Sequence, residues 1–257
     1  MKSFAKSKEY WKETASKQKE LNKSLTHSDD YLPQLETNAI KSFLNSNDKV
    51  LELGCGASDN SIHYMKKVKN YIGVEQIETF VELSNQKIEE ANLSNSEILV
   101  NDGFEYIKNN KFDADKLITQ RFIINLKDRK TQLDFFQNIK DNSLNTKLKL
   151  IICEGFEEEL INLNKLRNKF LLPNVEIASY NNFFDKEFIN ELIGIGYKLS
   201  EVIKFNKYYF ITRLFNTEQF DTKLDIQKLS FEIENDDLFD IDGDISYTKV
   251  LLLEFDS

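Results

Sequence analysis

Two cysteines, two histidines and no apolar run of membrane-spanning length are what 257 residues offer. Cys55 and Cys153 are too few for a disulfide scaffold, which predicts a reduced, intracellular and cytoplasmic protein. The missing apolar run predicts no transmembrane helix, since one needs about 18 such residues. The polar opening MKSFAKSKEYWKE lacks the apolar centre of a secretion signal. No Cys-x-x-Cys or His-x-x-x-His pair suggests zinc, so no metal is expected. Internal repeats and Gly/Ser linkers are also missing. A single unit over residues 1–257 is expected, 40% hydrophobic and long enough for one sizeable core.

Positive charge is short in one place only. The net charge is −9, and residues 216–257 carry all of it, with twelve acidic residues against three lysines. The first 215 residues hold 31 basic and 31 acidic groups and no dense basic stripe. That argues against long nucleic acid as a partner, because phosphate contacts need clustered Lys and Arg. DIDGD, Asp240 to Asp244, lacks the spacing and closing Glu of a calcium loop, and a solvated acidic loop over Glu232–Asp244 is expected.

What is present is an alternation of strand-like and helix-like segments. Residues 1–46 read as a helical cap, residues 47–215 as a core and residues 216–257 as an acidic loop with a final strand. Strands are expected at Lys49–Leu53, Asn70–Glu75, Glu97–Asn101, Lys116–Gln120 and Lys147–Glu154. Helices are expected at Asn60–Lys67, Ile77–Ala91, Gly103–Asn109 and Lys130–Lys140. Such alternation predicts an α/β fold with a parallel sheet wrapped by helices. ELINLNKLRNKFLLPN reads as a helix stopped by Pro173. A sixth strand follows the turn at Gly194 and Gly196. NKYYFITRLFN is open between helix and strand, and SYTKVLLLEF is a strong last strand.

The segment KVLELGCGASDN runs from a strand into a glycine turn and then a helix, which is a nucleotide-binding device. A dinucleotide site wants G-x-G-x-x-G. Gly54 and Gly56 fit, but Asp59 occupies the place of the third small residue and would repel a pyrophosphate. A cofactor with an amino acid and a ribose in place of phosphate fits better. Glu52 gives Glu-x-Gly-x-Gly and suits an ammonium. Glu75, ending the second strand beside Gln76, is placed to accept from two ribose hydroxyls. Asp102, before Gly103 at the end of the third strand, suits an adenine amino group, with Phe104 to flank the ring. Each feature alone is an ordinary turn or surface signal; the three carboxylates together carry the reading.

These residues resemble the class I S-adenosylmethionine-dependent methyltransferases over Glu36 to Phe215 and again at Ser246–Phe255. The resemblance implies a Rossmann-like seven-stranded sheet whose last strand is antiparallel and inserted between the fifth and sixth. It implies S-adenosyl-L-methionine as cofactor, with Glu52, Gly54, Cys55 and Gly56 on the methionine part, Glu75 on the ribose and Asp102 and Gly103 on the adenine. Gln120 would lie near the reacting methyl. QRFIINLKDRKTQLDFFQNI, IICEGFEEELINLNKLRNKFLLPN and YNNFFDKEF are similar to methyltransferases of surface-polysaccharide and sugar modification. Arg121, Asn125, Glu154, Asn164, Arg167 and Asn181 match that pattern. The glycine-rich turn usual before the fifth strand is absent from DNSLNTKLK.

The resemblance implies methyl transfer to a small polar acceptor, a sugar or glycan precursor, with oxygen favoured over nitrogen. Such transfer needs alignment and removal of a proton. Glu154 is the expected base or substrate anchor, with His27, in the N-terminal cap, as the other candidate; His63 is expected to pack. Arg121 stands either as an acceptor ligand or as an ion-pair partner of Glu154. Asn125, Asn164, Arg167 and Asn181 are candidate acceptor contacts, against a solvated helix surface. Gln120-Arg121-Phe122 stands where methylases of base or amide nitrogens carry Asn-Pro-Pro-Tyr. The alternatives are an RNA or protein methyltransferase, a non-catalytic cofactor-binding subunit, and a nicotinamide-dependent sugar enzyme. The sequence does not set the oligomeric state.

Overall fold

The structure, a computed structural model, describes residues 4–21, 24–25, 29–215, 225–236, 240–241 and 243–255. Two helices, α1 (Phe4–Leu21) and α2 (Leu32–Ser42), precede the sheet. Then come β1 (Lys49–Leu53), α3 (Ser61–Met65), β2 (Asn70–Glu75), α4 (Glu78–Glu90), β3 (Ser96–Val100), α5 (Gly103–Asn109) and β4 (Lys116–Gln120). A 3-10 turn (Ile123–Asn125), α6 (Arg129–Asn142), β5 (Lys149–Gly155), α7 (Glu157–Lys169), α8 (Glu187–Gly194) and β6 (Tyr197–Lys204) follow. The chain closes with α9 (Asn206–Leu214), α10 (Ile226–Glu234) and β7 (Thr248–Phe255).

All seven strands form one sheet in the order β3-β2-β1-β4-β5-β7-β6. Strands β1 to β5 pair in parallel, and β7 runs antiparallel to both β5 and β6. The expected α/β sheet and its inserted last strand are therefore what the chain builds. Central strands are apolar on both faces because helices cover both: Val50, Leu51 and Leu53 of β1 and Leu150 to Cys153 of β5 are all buried. One face packs Ile40 of α2, Tyr64 of α3 and Tyr208 and Tyr209 of α9. The other packs Ile107 of α5, Phe135 and Phe136 of α6 and Phe188 of α8.

The order reverses between β1 and β4, and ligands of open α/β sheets bind outside the carboxyl ends at such a switch point. NKYYFITRL resolves to helix because Tyr208 and Thr212, one turn apart, are both buried, and the Thr212 hydroxyl donates to the Tyr208 carbonyl at 2.7 Å. Glu232 to Glu234, expected in the acidic loop, form the end of α10, whose start is capped by Asp225. Among the described residues no helix is long and apolar enough to cross a membrane.

Candidate functional site

A cleft of about 1140 Å³, counted to its open mouth, lies over the carboxyl ends of β1, β2 and β4. Small-molecule sites run to roughly 1,000 Å³, so it is of ligand size. Glu52, Gly54, Cys55, Gly56, Glu75, Gln76, Asp102, Gly103 and Gln120 all line it. Phe104 does not; it packs instead against the core on the α5 side. Phe122 takes the place expected of Phe104 as an aromatic ring in the cleft wall.

The glycine turn has the geometry its composition predicts. Gly54 has φ +72°, and a Cβ there would stand 2.6 Å from the Phe122 ring. The same ring closes on Gly103, where a Cβ would meet it at 2.8 Å. Strand ends β1 and β3 are thereby bridged by one aromatic from the loop after β4. Glu75 organises this turn: its carboxylate accepts from Gly56 N–H at 3.0 Å and from Ile77 N–H at 2.8 Å. Burial raises its pKa, and those amides pull it back. Asp102 caps α5, accepting from Phe104 and Glu105 N–H with one oxygen.

Glu52 is buried and accepts from the Tyr71 hydroxyl at 2.7 Å. Burial pushes its pKa up to about 7, against the Tyr71 and Ser61 hydrogen bonds. Beside Glu75, the Gln76 Oε1 is buried without a hydrogen-bond partner while its residue lines the cleft. An orphaned acceptor of this kind costs free energy until a donor arrives.

Helix α1 roofs the cleft with Lys8 and Trp11. Trp11 and Ala15 pack on Ala57, Ile77 and Phe80, which fastens α1 to the glycine turn and α4. Asp59, which argued against a dinucleotide, is the polar fastener. Lys87 neutralises it, and it accepts from Gln18 of α1 at 3.1 Å and from the Ser24 hydroxyl at 2.8 Å.

The expected methyl end holds Gln120, Arg121 and Asn125, all in the cleft wall. Arg121 pairs with Glu36 of α2, not with Glu154 as one expectation had it. Burial opposes the Arg121 charge most strongly, but Glu36 together with Cys153, Tyr209 and Tyr247 outweighs it and raises its pKa. Gln120 donates to the other Glu36 oxygen at 2.7 Å and accepts from Asn60 at 3.1 Å. Glu36, buried behind Gln120 and Arg121, is a partner that sequence reasoning missed, because 85 residues separate it from Arg121. Arg121 and Asn125 do not share a regular helix: Arg121 has φ +53°, and the Asn125 amide closes onto its carbonyl.

Glu154, expected as base or substrate anchor, does not reach the cleft. It is fully buried and accepts from Phe122, Ile123 and Ile124 N–H at 3.0, 2.9 and 3.4 Å. Its work is to hold the loop that carries Phe122 and Asn125. Burial pushes its pKa to about 7, with the three amides opposing. Asn164 is a staple, with its side chain bonded both ways to the Val175 backbone at 3.0 and 2.8 Å. Arg167 donates to the Pro173 and Arg213 carbonyls. Asn181 lies outside the cleft wall, in a loop tied to the Ile124 carbonyl by its neighbour Asn182. His27 lies outside the described residues, and His63 is exposed rather than packed. Among the described residues no cluster of His, Cys, Asp and Glu has the makings of a metal site.

A family model for protein-L-isoaspartate(D-aspartate) O-methyltransferase matches residues 2–114. No curated protein matches the chain. Solved structures do. A TehB-like SAM-dependent methyltransferase from Corynebacterium glutamicum ATCC 13032 Kitasato is 13% identical, with 96% of this chain and 98% of that one covered and a TM-score of 0.54. Magnesium protoporphyrin IX methyltransferase from Synechocystis PCC 6803, solved with bound SAH, is 13% identical over 88% of this chain and 83% of that one, TM-score 0.53. The fold is that of the class I S-adenosylmethionine-dependent methyltransferases. The [4+2]-cyclase SpnF shares it at 10% identity, with 87% of this chain and 81% of that one covered and a TM-score of 0.55. A fold shared with a cyclase leaves the chemistry to be argued from the site.

Proposed function

We propose that this chain is an S-adenosylmethionine-dependent methyltransferase that methylates an oxygen of a small polar acceptor, a sugar or glycan precursor. The observation that carries the cofactor is the meeting of Glu52, Glu75, Asp102 and the orphaned Gln76 acceptor in one cleft at the switch point. Those acceptors suit a ligand with an ammonium, ribose hydroxyls and an exocyclic amine. The matched family model covers β1 to β3 and ends before β4, so it supports the cofactor half and leaves the acceptor open.

Bound S-adenosylmethionine would supply the methyl group: an acceptor hydroxyl oxygen forms the new bond in line as the S–CH3 bond breaks, leaving S-adenosylhomocysteine and a proton released to water. The chain's part is positioning. Glu75 and Asp102 would hold the adenosyl part and Glu52 the amino acid part. Glu36 aligns Gln120 and Arg121, and α1 covers the cleft against water. Oxygen as the methylated atom is supported by Gln120-Arg121-Phe122 standing in place of Asn-Pro-Pro-Tyr. The sugar class is supported by Arg121 and Asn125, the two residues of that pattern that line the cleft. Unpaired Cys55 and Cys153 support a reduced compartment, and residues 1–46, 47–215 and 216–257 act as cap, core and closing strand of one unit.

Calorimetric titration with S-adenosylhomocysteine and with NAD tests the cofactor, since whichever binds the native fold stabilises it by mass action. S-adenosylhomocysteine is expected to bind and NAD is not; the reverse ends the reading. Incubation with S-adenosylmethionine and a panel of nucleotide sugars, read by mass spectrometry, is expected to give a product heavier by one methylene.

A further inference from the structure

Arginines gather around a pair of tyrosine rings. Arg213, near the end of α9, lies 5.4 Å over the Tyr209 ring, which packs on Tyr247, and Arg167 donates to the Arg213 carbonyl. Arg121, in the cleft wall, and Arg167 both act electrostatically on Tyr247. Tyr247 stands between two other aromatics, with Phe183 stacked at 6.3 Å and Tyr209 at 4.6 Å. These residues come from β4, α7, α9 and the approaches to α8 and β7, so the place exists only in the folded chain.

The charges there do not balance. Among the described residues, two carboxylates pair with three guanidiniums: Glu36 with Arg121 and Asp29 with Arg213. The second pairing is loose, at 3.5 Å, because the other Asp29 oxygen already accepts from Tyr31 N–H, Leu32 N–H and the Tyr208 hydroxyl. Arg167 donates to the Pro173 and Arg213 backbone carbonyls, which carry no compensating charge. Its pKa is lowered by burial and then by the like charge of Arg213. Arg213 keeps 21% and Arg121 26% of its side chain exposed, so both are reachable. Arg121 also lines the cofactor cleft, which joins this place to the reacting end.

We propose that the acceptor carries an anionic group, a carboxylate or a phosphate ester, received at Arg213 and Tyr247 with the charges of Arg121 and Arg167 behind it. This rests on the methyltransferase reading and narrows its acceptor class. The planar guanidinium of Arg213 is suited to paired oxygens of either group. The anion supplies the missing negative charge, and the rings of Tyr247, Tyr209 and Phe183 bound the acceptor beside it.

The test loads the protein with S-adenosylhomocysteine and titrates matched pairs by calorimetry at low ionic strength: glucuronate against glucose, and glucose 6-phosphate against glucose. One charged member is expected to bind at least tenfold more tightly than glucose, and which one separates carboxylate from phosphate. Arg213→Gln is expected to abolish that preference while the affinity for S-adenosylhomocysteine stays within twofold, and Tyr247→Phe to reduce it. Equal binding of charged and neutral members overturns the proposal. So does a preference that survives Arg213→Gln, or no binding of either anion to protein that does bind S-adenosylhomocysteine. Protein that binds no S-adenosylhomocysteine sinks the underlying methyltransferase reading instead.

Discussion

The two halves of the sheet earn their roles by different means. In the β1–β3 half each strand end delivers one carboxylate, and the partners lie within the same half: Glu75 accepts from Gly56 and Ile77 N–H, Glu52 from the Tyr71 hydroxyl and Asp102 from Phe104 N–H. In the β4–β7 half the contacts span the chain, as when Asp29 accepts from Tyr208, 179 residues away. The first half is a local device repeated along a parallel sheet. The second is an assembly of caps, and its carboxylates serve other protein groups before any ligand.

The contrast is sharpest at Glu154. Replacing it by Ala strands three amides in the interior, each costing about 1–3 kcal/mol. Glu154→Ala is therefore expected to lose several kcal/mol of stability in urea unfolding, and Glu154→Gln, which keeps an acceptor, much less. A Glu154→Ala protein of native stability that had lost only turnover would return this residue to catalysis.

Next in size is the effect of pH, with one buried acid in each half. Glu52 and Glu154 both have folded pKa values of about 7, above the unfolded value. The folded state binds the extra proton between those limits, so their stabilisation is complete below about pH 4 and is lost as pH rises through about 7. Each contributes on the order of 3 kcal/mol to that fall. Chemical unfolding at pH 5.5 and 8 is expected to show wild-type stability dropping, with Glu52→Gln and Glu154→Gln each flattening part of the drop. A rise in stability over that range contradicts both assignments.

In the cofactor half Glu75→Ala is expected to weaken S-adenosylhomocysteine by about 1–3 kcal/mol, the worth of charge-assisted hydrogen bonds. Unchanged affinity removes the ribose role. The smallest expected signal is spectroscopic. Trp11 is the only tryptophan and lines the cleft, so a titration with S-adenosylhomocysteine is expected to shift or quench its emission. A silent titration with proven binding means that α1 does not roof the bound cofactor.

Legibility follows the same division. The boundaries of β1, β2, β4 and α5 were readable to the residue, because apolar runs, turn glycines and the Asp102 cap mark them locally. That Glu52, Glu75 and Asp102 meet in one cleft was readable for the same reason. Glu154 and Asn164 misled, since a polar residue at a strand end or on a helix looks alike whether it meets a ligand or a backbone amide. Glu36, Asp59, Phe122 and Arg213 went unread as site residues, because nothing beside them in the chain shows what they touch.

Periodicity and spacing alone determined a parallel sheet, its glycine turn and the carboxylates at three strand ends, since strand alternation and turn chemistry are short-range properties. Only the tertiary structure decided which carboxylates remain for a ligand and which are consumed by Arg121, Lys87 or buried amides. Burial makes an unpaired charge or amide costly, and which groups are buried together depends on how distant segments meet.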